Sequence, residues 1–198
     1  MLNQEMIVSF NPPQSLSSLH HRANSSLFCA SFNFGKYFSP AQKEEPEHPQ
    51  LKKGKIYLLK GRDIEKSYAF FRHHIAKTEN GLIITRKSPP HMKSLYHIEN
   101  IPLLWLSQKE EKNVLFPTQL HKLGYLISET VSLHDNPLIL LDGLEYLVVH
   151  NKFDPVIKQI YIIRDVLLRH GGMLLIPLDP EAFSEREMGL LEKESVSL

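Results

Sequence analysis

The stretch Pro137-Leu-Ile-Leu-Leu-Asp142-Gly143-Leu-Glu145 decides the fold. A bare aliphatic run that ends in an aspartate and a glycine suits a strand buried on both faces, as in a parallel sheet. Asp142-Gly143 then stands at the strand's carboxyl end, where open α/β sheets place their ligands. Nucleotide-binding proteins hold magnesium with such an aspartate, but they also need a glycine-rich phosphate cradle.

Working outward, apolar runs alternate with amphipathic segments from Gly54 onward. Ile56–Leu59, Gly81–Thr85, Ile101–Leu106 and Met173–Ile176 are the other strand candidates, with Pro102 tolerable only near a strand start. Asp63 is placed to cap a helix whose Ile64, Tyr68, Phe71 and Ile75 share one face. Pro117 suits the first turn of a helix carrying Leu120, Leu123, Ile127 and Val131. Asp154-Pro155 reads as cap and first helical residue ahead of Val156, Ile160, Ile163 and Leu167, and Gly171-Gly172 stops that helix. Ser184-Glu-Arg-Glu187 matches a capping box. Such alternation implies right-handed crossovers. The expected fold is a three-layer α/β/α domain over residues 52–198 with a mostly parallel five-stranded sheet.

Residues 1–51 differ, being rich in Ser, Asn, Pro and Gln and closing on the polar run 41–50. They read as a loosely ordered N-terminal extension and linker, with a short strand at Ser31–Phe34. Twenty-three basic residues stand against 22 acidic ones, so no excess charge is available to neutralise a nucleic-acid backbone. The one cysteine, Cys29, excludes an internal disulfide and fits a reducing interior. Neither a membrane-spanning run nor a basic signal-peptide start is present, so a soluble cytoplasmic protein is expected.

A parallel sheet would bring its strand exits to one rim. There Arg86 and Lys87 would meet Ser107, Asp142, Glu145 and Asp179, a set able to bind a small polar or phosphorylated ligand. The same charges would also stand there merely because strands emerge into water. Gly61-Arg-Asp-Ile-Glu-Lys66-Ser67 resembles a phosphate loop but lacks its second glycine and is one residue short. Its Asp63 and Glu65 would face the phosphates. A carboxylate about 4 Å from such a charge costs on the order of 4 kcal/mol at an effective dielectric of 20. That equals a whole millimolar affinity, about 4 kcal/mol. A working phosphate loop is therefore rejected, and Asp63 is expected to cap a helix.

Adjacent His73 and His74 diverge on a helix, and the spacing of His91 and His97 matches no ligand pair, so solvated or capping histidines and no metal are expected. Ser107 lacks a nucleophile elbow, and Cys29 has no base, so no catalytic residue or cofactor is assigned. Trp105 is expected to be a core aromatic. Ser88-Pro89-Pro90 reads as a turn into a short helix, flanked by Arg86, Lys87 and Lys93.

Several motifs recur in order: Gly54–Leu59, Leu82–Arg86 with Pro89, Leu104–Ser107, Leu140–Leu147 with Asn151 and Phe153, and Leu175–Pro180. On these, residues 52–194 resemble the archaeal family called domain of unknown function 835. Its members are often attached to sensory and signalling modules, which implies a signal-output or scaffolding role. A more distant similarity is to RecA-like ATPase cores, whose paired glutamates correspond to Arg86-Lys87 here and whose magnesium aspartate corresponds to Asp142. That implies a RecA-like or Rossmann-like architecture without hydrolysis. The leading expectation is a non-catalytic module that binds protein partners in archaeal regulation. The alternative is a binder of a nucleotide or phosphorylated metabolite using Arg86, Lys87 and Asp142.

Overall fold

A computed structural model of the chain describes residues 49–198, apart from Glu79, residues 97–100 and the side chains of Lys93 and Leu95. The expected extension as far as residue 48, the Ser31–Phe34 strand, Cys29, His97 and the Lys93 ammonium lie outside the described residues.

In chain order the elements are β1 (Lys55–Lys60), α1 (Ile64–Thr78), β2 (Gly81–Thr85), α2 (Pro89–Tyr96), β3 (Leu103–Leu106), β4 (Val114–Leu115) and α3 (Leu120–Leu133). Then come β5 (Leu138–Asp142), α4 (Leu144–Asn151), α5 (Phe153–His170), β6 (Met173–Leu178), a 3-10 turn (Pro180–Ala182), α6 (Glu185–Lys193) and β7 (Val196–Ser197). The sheet runs β4-β3-β2-β5-β6-β1-β7, and every pair is parallel. The five expected strands are present, but the sheet has seven. The added β4 and β7 are two-residue edges, too short for a hydrophobic pattern to announce them. No described helix is long and apolar enough to cross a membrane.

Alternation along the strands feeds two cores. Ile56, Leu58, Ile139, Leu141, Leu174 and Ile176 meet α3 to α6 on one face. Tyr57, Leu59, Leu138, Leu140 and Leu175 meet α1 and α2 on the other. This burial on both sides explains why β5 reads as an unbroken aliphatic run.

Two features open a cleft at the carboxyl edge. First, β2 and β5 are neighbours whose connections depart oppositely, β2 towards β3 through α2 and β5 towards β6 through α4 and α5. Adjacent strands that diverge in this way form a topological switch point. Second, β5 and β6 pair only as far as Leu140 and Leu175. The Met173 N–H faces the β5 side, bonding Pro137 O at 2.9 Å. The period of two then turns residue 177 towards β5 as well. Because that residue is Pro177, it has no N–H to extend the ladder, and the two strands part beyond it.

The ends of the helices correct some expectations. Asp63 Oδ1 does accept from Glu65 N at 3.2 Å, and Gly171 closes α5 in the left-handed conformation. Pro117, however, belongs to a turn in which Gln119 N bonds Phe116 O at 3.0 Å, and α3 starts only at Leu120. Helix α5 starts at Phe153, so Asp154 and Pro155 lie within its first turn and Asp154 is not its cap. Lys152, with φ 65°, makes the bend between α4 and α5.

At α6 the capping box is complete: Ser184 Oγ accepts from Glu187 N, and Glu187 Oε2 accepts from Ser184 N at 2.8 Å. Ser184→Ala is expected to lower stability by about 1 kcal/mol in urea unfolding, while Ser184→Asp should largely retain it. A loss below about 0.3 kcal/mol for the alanine variant would contradict the capping role.

Candidate functional site

The cleft at the carboxyl edge is a cavity of about 490 Å³ whose lining includes Arg62, Arg86, Lys87, Asp142, Glu145 and Asp179. Five of the six residues anticipated from sequence therefore converge. Ser107 does not line the cavity: buried at the end of β3, its hydroxyl accepts from Lys109 N at 3.2 Å and shapes the turn.

Asp142 ends β5 opposite Thr85, the last residue of β2. Both point to the face covered by α1, from which fully buried Tyr68 reaches them. Asp142 Oδ2 accepts from the Tyr68 hydroxyl at 2.6 Å and from the Thr85 hydroxyl at 2.8 Å. The two hydroxyl oxygens are 2.7 Å apart, and Thr85 Oγ1 also accepts from Lys87 N at 3.0 Å. Burial first, and then the Asp142 charge, drive the Tyr68 pKa upward, so this hydroxyl stays protonated and remains a donor.

Beside this triad, Tyr68 and Tyr96 stack at 4.4 Å. Lys87 Nζ lies 2.7 Å from Tyr96 Oη and 3.0 Å from Glu65 Oε1, and the Tyr96 hydroxyl donates to Glu65 at 2.5 Å. Burial opposes the Lys87 charge, yet the hydrogen bonds to Tyr96 and Glu65 outweigh it and raise its pKa. The Tyr96 hydrogen bond, followed by that of Lys87, lowers the Glu65 pKa. A carboxylate whose folded pKa is depressed contributes stability above its unfolded value, and that contribution fades as pH falls through the folded value. The stability gap between wild type and Glu65→Gln should therefore be present at neutral pH and close below the ordinary glutamate value of 4.5. Urea titrations between pH 7 and pH 3 would measure it; a gap unchanged across that range would contradict the interaction.

Arg86 follows Thr85 and is held differently. Its guanidinium lies 3.6 Å above the Tyr146 ring, and Nη1 donates to Leu106 O at 2.5 Å. Its carbonyl accepts from Trp105 Nε1 at 3.0 Å. Trp105 is thus half-buried at the rim, not a core aromatic, because its indole N–H needs that acceptor. Gly143, at φ 128°, makes room for the arginine, since a Cβ there would lie 2.8 Å from Arg86 Cγ.

Across the cleft, Glu145 Oε1 accepts from Asp179 N at 2.9 Å, tying α4 to the exit of β6. Asp179 caps the 3-10 turn, with Oδ1 accepting from Glu181 N at 3.0 Å, and Oδ2 accepts from Arg62 Nε at 3.0 Å. Arg62 also pairs with Glu181. Asp63 is committed to its helix cap, as the rejection of a phosphate loop required.

The sequence reading missed Tyr68, Tyr96 and Tyr146 as members of this site. Sharing a helix face with Ile64, Phe71 and Ile75 marks Tyr68 only as apolar-facing; the available signal is an aromatic with a hydroxyl on an otherwise apolar helix face. The histidines are also corrected at one point. His74 is buried, with Nδ1 2.9 Å from Phe70 O and Nε2 3.1 Å from Pro49 O. Three residues beyond Phe71, it falls on the inner face of α1. Among the described residues, no group of His, Cys, Asp or Glu is arranged to hold a metal ion.

Two solved structures share the architecture. One is a KaiC-like protein from the hyperthermophilic archaeon Pyrococcus horikoshii OT3, with a TM-score of 0.52 and 13% identity over 72% of this chain and 70% of its own. Another protein of Pyrococcus horikoshii OT3 gives a TM-score of 0.51 and 10% identity, covering 73% and 80% of the two chains. At such identities the likeness shows the fold alone, a RecA-like α/β architecture. No curated protein matches the chain. The family model described as "Protein of unknown function (DUF835)" matches residues 61–195, well over half of the sequence, and the chain belongs to that family.

Proposed function

We propose that this is a non-catalytic α/β module that binds a protein partner and serves signal output in the cytoplasm of an archaeal cell. One observation carries the reading: apart from Arg86, the charged groups of the cleft are engaged with partners of the protein itself. Asp142 Oδ2 holds two hydroxyls, Glu145 holds Asp179 N, Asp179 holds Arg62, and Lys87 holds Glu65 and Tyr96. A catalytic acid, base or nucleophile needs a reactive atom directed at substrate. Here the corresponding atoms brace the carboxyl ends of β2, β5 and β6 against α1 and α4. The company that the family keeps with sensory modules supports a role in output.

A second reading is favoured by the cavity itself, which collects Arg62, Arg86 and Lys87 and could receive a nucleotide or phosphorylated metabolite. One thermal-shift and turnover series separates the two. The module reading expects no hydrolysis above buffer and no melting shift with ATP, GTP or cyclic nucleotides at millimolar concentration, with or without magnesium. A ligand at about 100 times its Kd stabilises by about 2.7 kcal/mol, so a shift abolished by Arg86→Ala or Asp142→Ala would replace it by the second reading.

A further inference from the structure

We propose that Arg86 anchors a docking surface for a carboxylate-bearing segment of a protein partner, an inference that rests on the module reading and names the chemistry of its partner. Among the basic residues of the rim, Lys60, Arg62, Lys66 and Lys87 each have a carboxylate within ion-pair distance. Among the described residues Arg86 has none, although it is exposed at the switch point between β2 and β5.

Its guanidinium is nevertheless fixed. Tyr146 supports one face at 3.6 Å, Leu106 O takes Nη1, and the missing Cβ of Gly143 admits the side-chain stem. An arginine already held in one orientation loses little further freedom on binding, and its planar fork matches a carboxylate. One face and one nitrogen are used, which leaves other N–H donors for an incoming oxyanion.

The surroundings select the anion. Arg62, Arg86 and Lys87 balance Asp142, Glu145 and Asp179, so the cavity is formally neutral. In a formally neutral cavity the second charge of a phosphate dianion gains no net attraction yet raises the cost of leaving water, so a monoanionic carboxylate fits better. On the other side of Arg86 the surface is aromatic and basic. Lys109 Nζ lies 5.7 Å over the Trp105 ring, and Tyr146 packs edge-on against His150 at 4.4 Å. Half-buried aromatic rings beside an arginine are the residue types that concentrate binding energy at interfaces. The fitting partner is therefore an acidic residue next to an aromatic or apolar one in an extended segment.

The test is a random-peptide display selection on the full chain. Affinities are then measured for the selected peptides, for the same peptides with each acid changed to its amide, and for Arg86→Lys. The expected peptides carry Asp or Glu beside an aromatic residue. Each exchange should weaken binding at least tenfold, with Arg86→Lys unfolding as cooperatively as the wild type. The amide peptides keep the protein wild type, so a folding defect cannot imitate the result. Selected peptides that bind equally as amides, or equally to Arg86→Lys, overturn the role of Arg86 and leave the module reading standing. If no peptide is enriched, the Arg86 assignment falls. If, in addition, orthophosphate at 10 mM moves the Arg86 side-chain N–H signal in NMR spectra, the module reading falls with it, in favour of a phosphorylated ligand.

Discussion

Tyr68→Phe is expected to lower the unfolding free energy by about 2 kcal/mol, a large loss for the removal of one oxygen. The ring would remain, stacked on Tyr96 and buried against β2 and β5, so no cavity opens. What disappears is a 2.6 Å hydrogen bond to a half-buried carboxylate. Bonds to charged groups contribute about 1.5–3 kcal/mol, and the aspartate left behind keeps only the Thr85 hydroxyl on that oxygen. Thr85→Val should cost a similar amount, while the double variant should depart from the sum by at least about 0.5 kcal/mol, because both donors serve one atom. Urea unfolding of the four proteins measures this cycle. Additive losses, or a loss below about 0.5 kcal/mol for Tyr68→Phe, would show that Asp142 does not depend on these hydroxyls and would remove the main support for a braced, non-catalytic cleft.

That triad also marks where the sequence stopped being legible. The strands β1, β2, β5 and β6 announce themselves because burial on both faces demands apolar residues at nearly every position, and that demand is written locally; β3 is only half-buried but is still a run of apolar residues. The gathering of Arg86, Lys87, Asp142, Glu145 and Asp179 follows from parallel strands alone, since each stands just beyond or at the end of one. Ser107 satisfied the same rule and still missed the cavity, because the β3 exit turns towards β4 and consumes its hydroxyl in the turn. β4 and β7 were invisible for a different reason: two residues carry no period, and they are strands only through the partners that tertiary structure supplies. Tyr68 was hidden in plain view, as its position on an apolar helical stripe says buried but not what its hydroxyl meets. Pro177 had the opposite fate. Its effect follows from sequence chemistry, yet its consequence, the parting of β5 and β6, requires knowing which neighbour it faces.

The packing of α3 on α5 gives the other large effect, and one whose sign should reverse with context. Gly124 lies in the interior of α3, where alanine would ordinarily stabilise a helix by about 1 kcal/mol. Here the added Cβ would fall 1.9 Å from Gln159 Nε2 and 2.9 Å from Gln159 Cδ, and Gln159 is only 7% exposed on the facing side of α5. The amide must be displaced from a packed interface, so Gly124→Ala is expected to destabilise by about 1–3 kcal/mol in spite of its helix propensity. Removing the obstacle should restore the ordinary preference. In a Gln159→Ala background the methyl group has space, and the same substitution should become neutral or stabilising. The resulting coupling energy of about 2 kcal/mol or more would be among the larger values for residues in contact. It is read from chemical denaturation of wild type, both single variants and the double variant. If Gly124→Ala stabilises the wild-type background, α3 and α5 do not approach as closely as Gly124 permits. The long helices over that core would then be able to separate without strain.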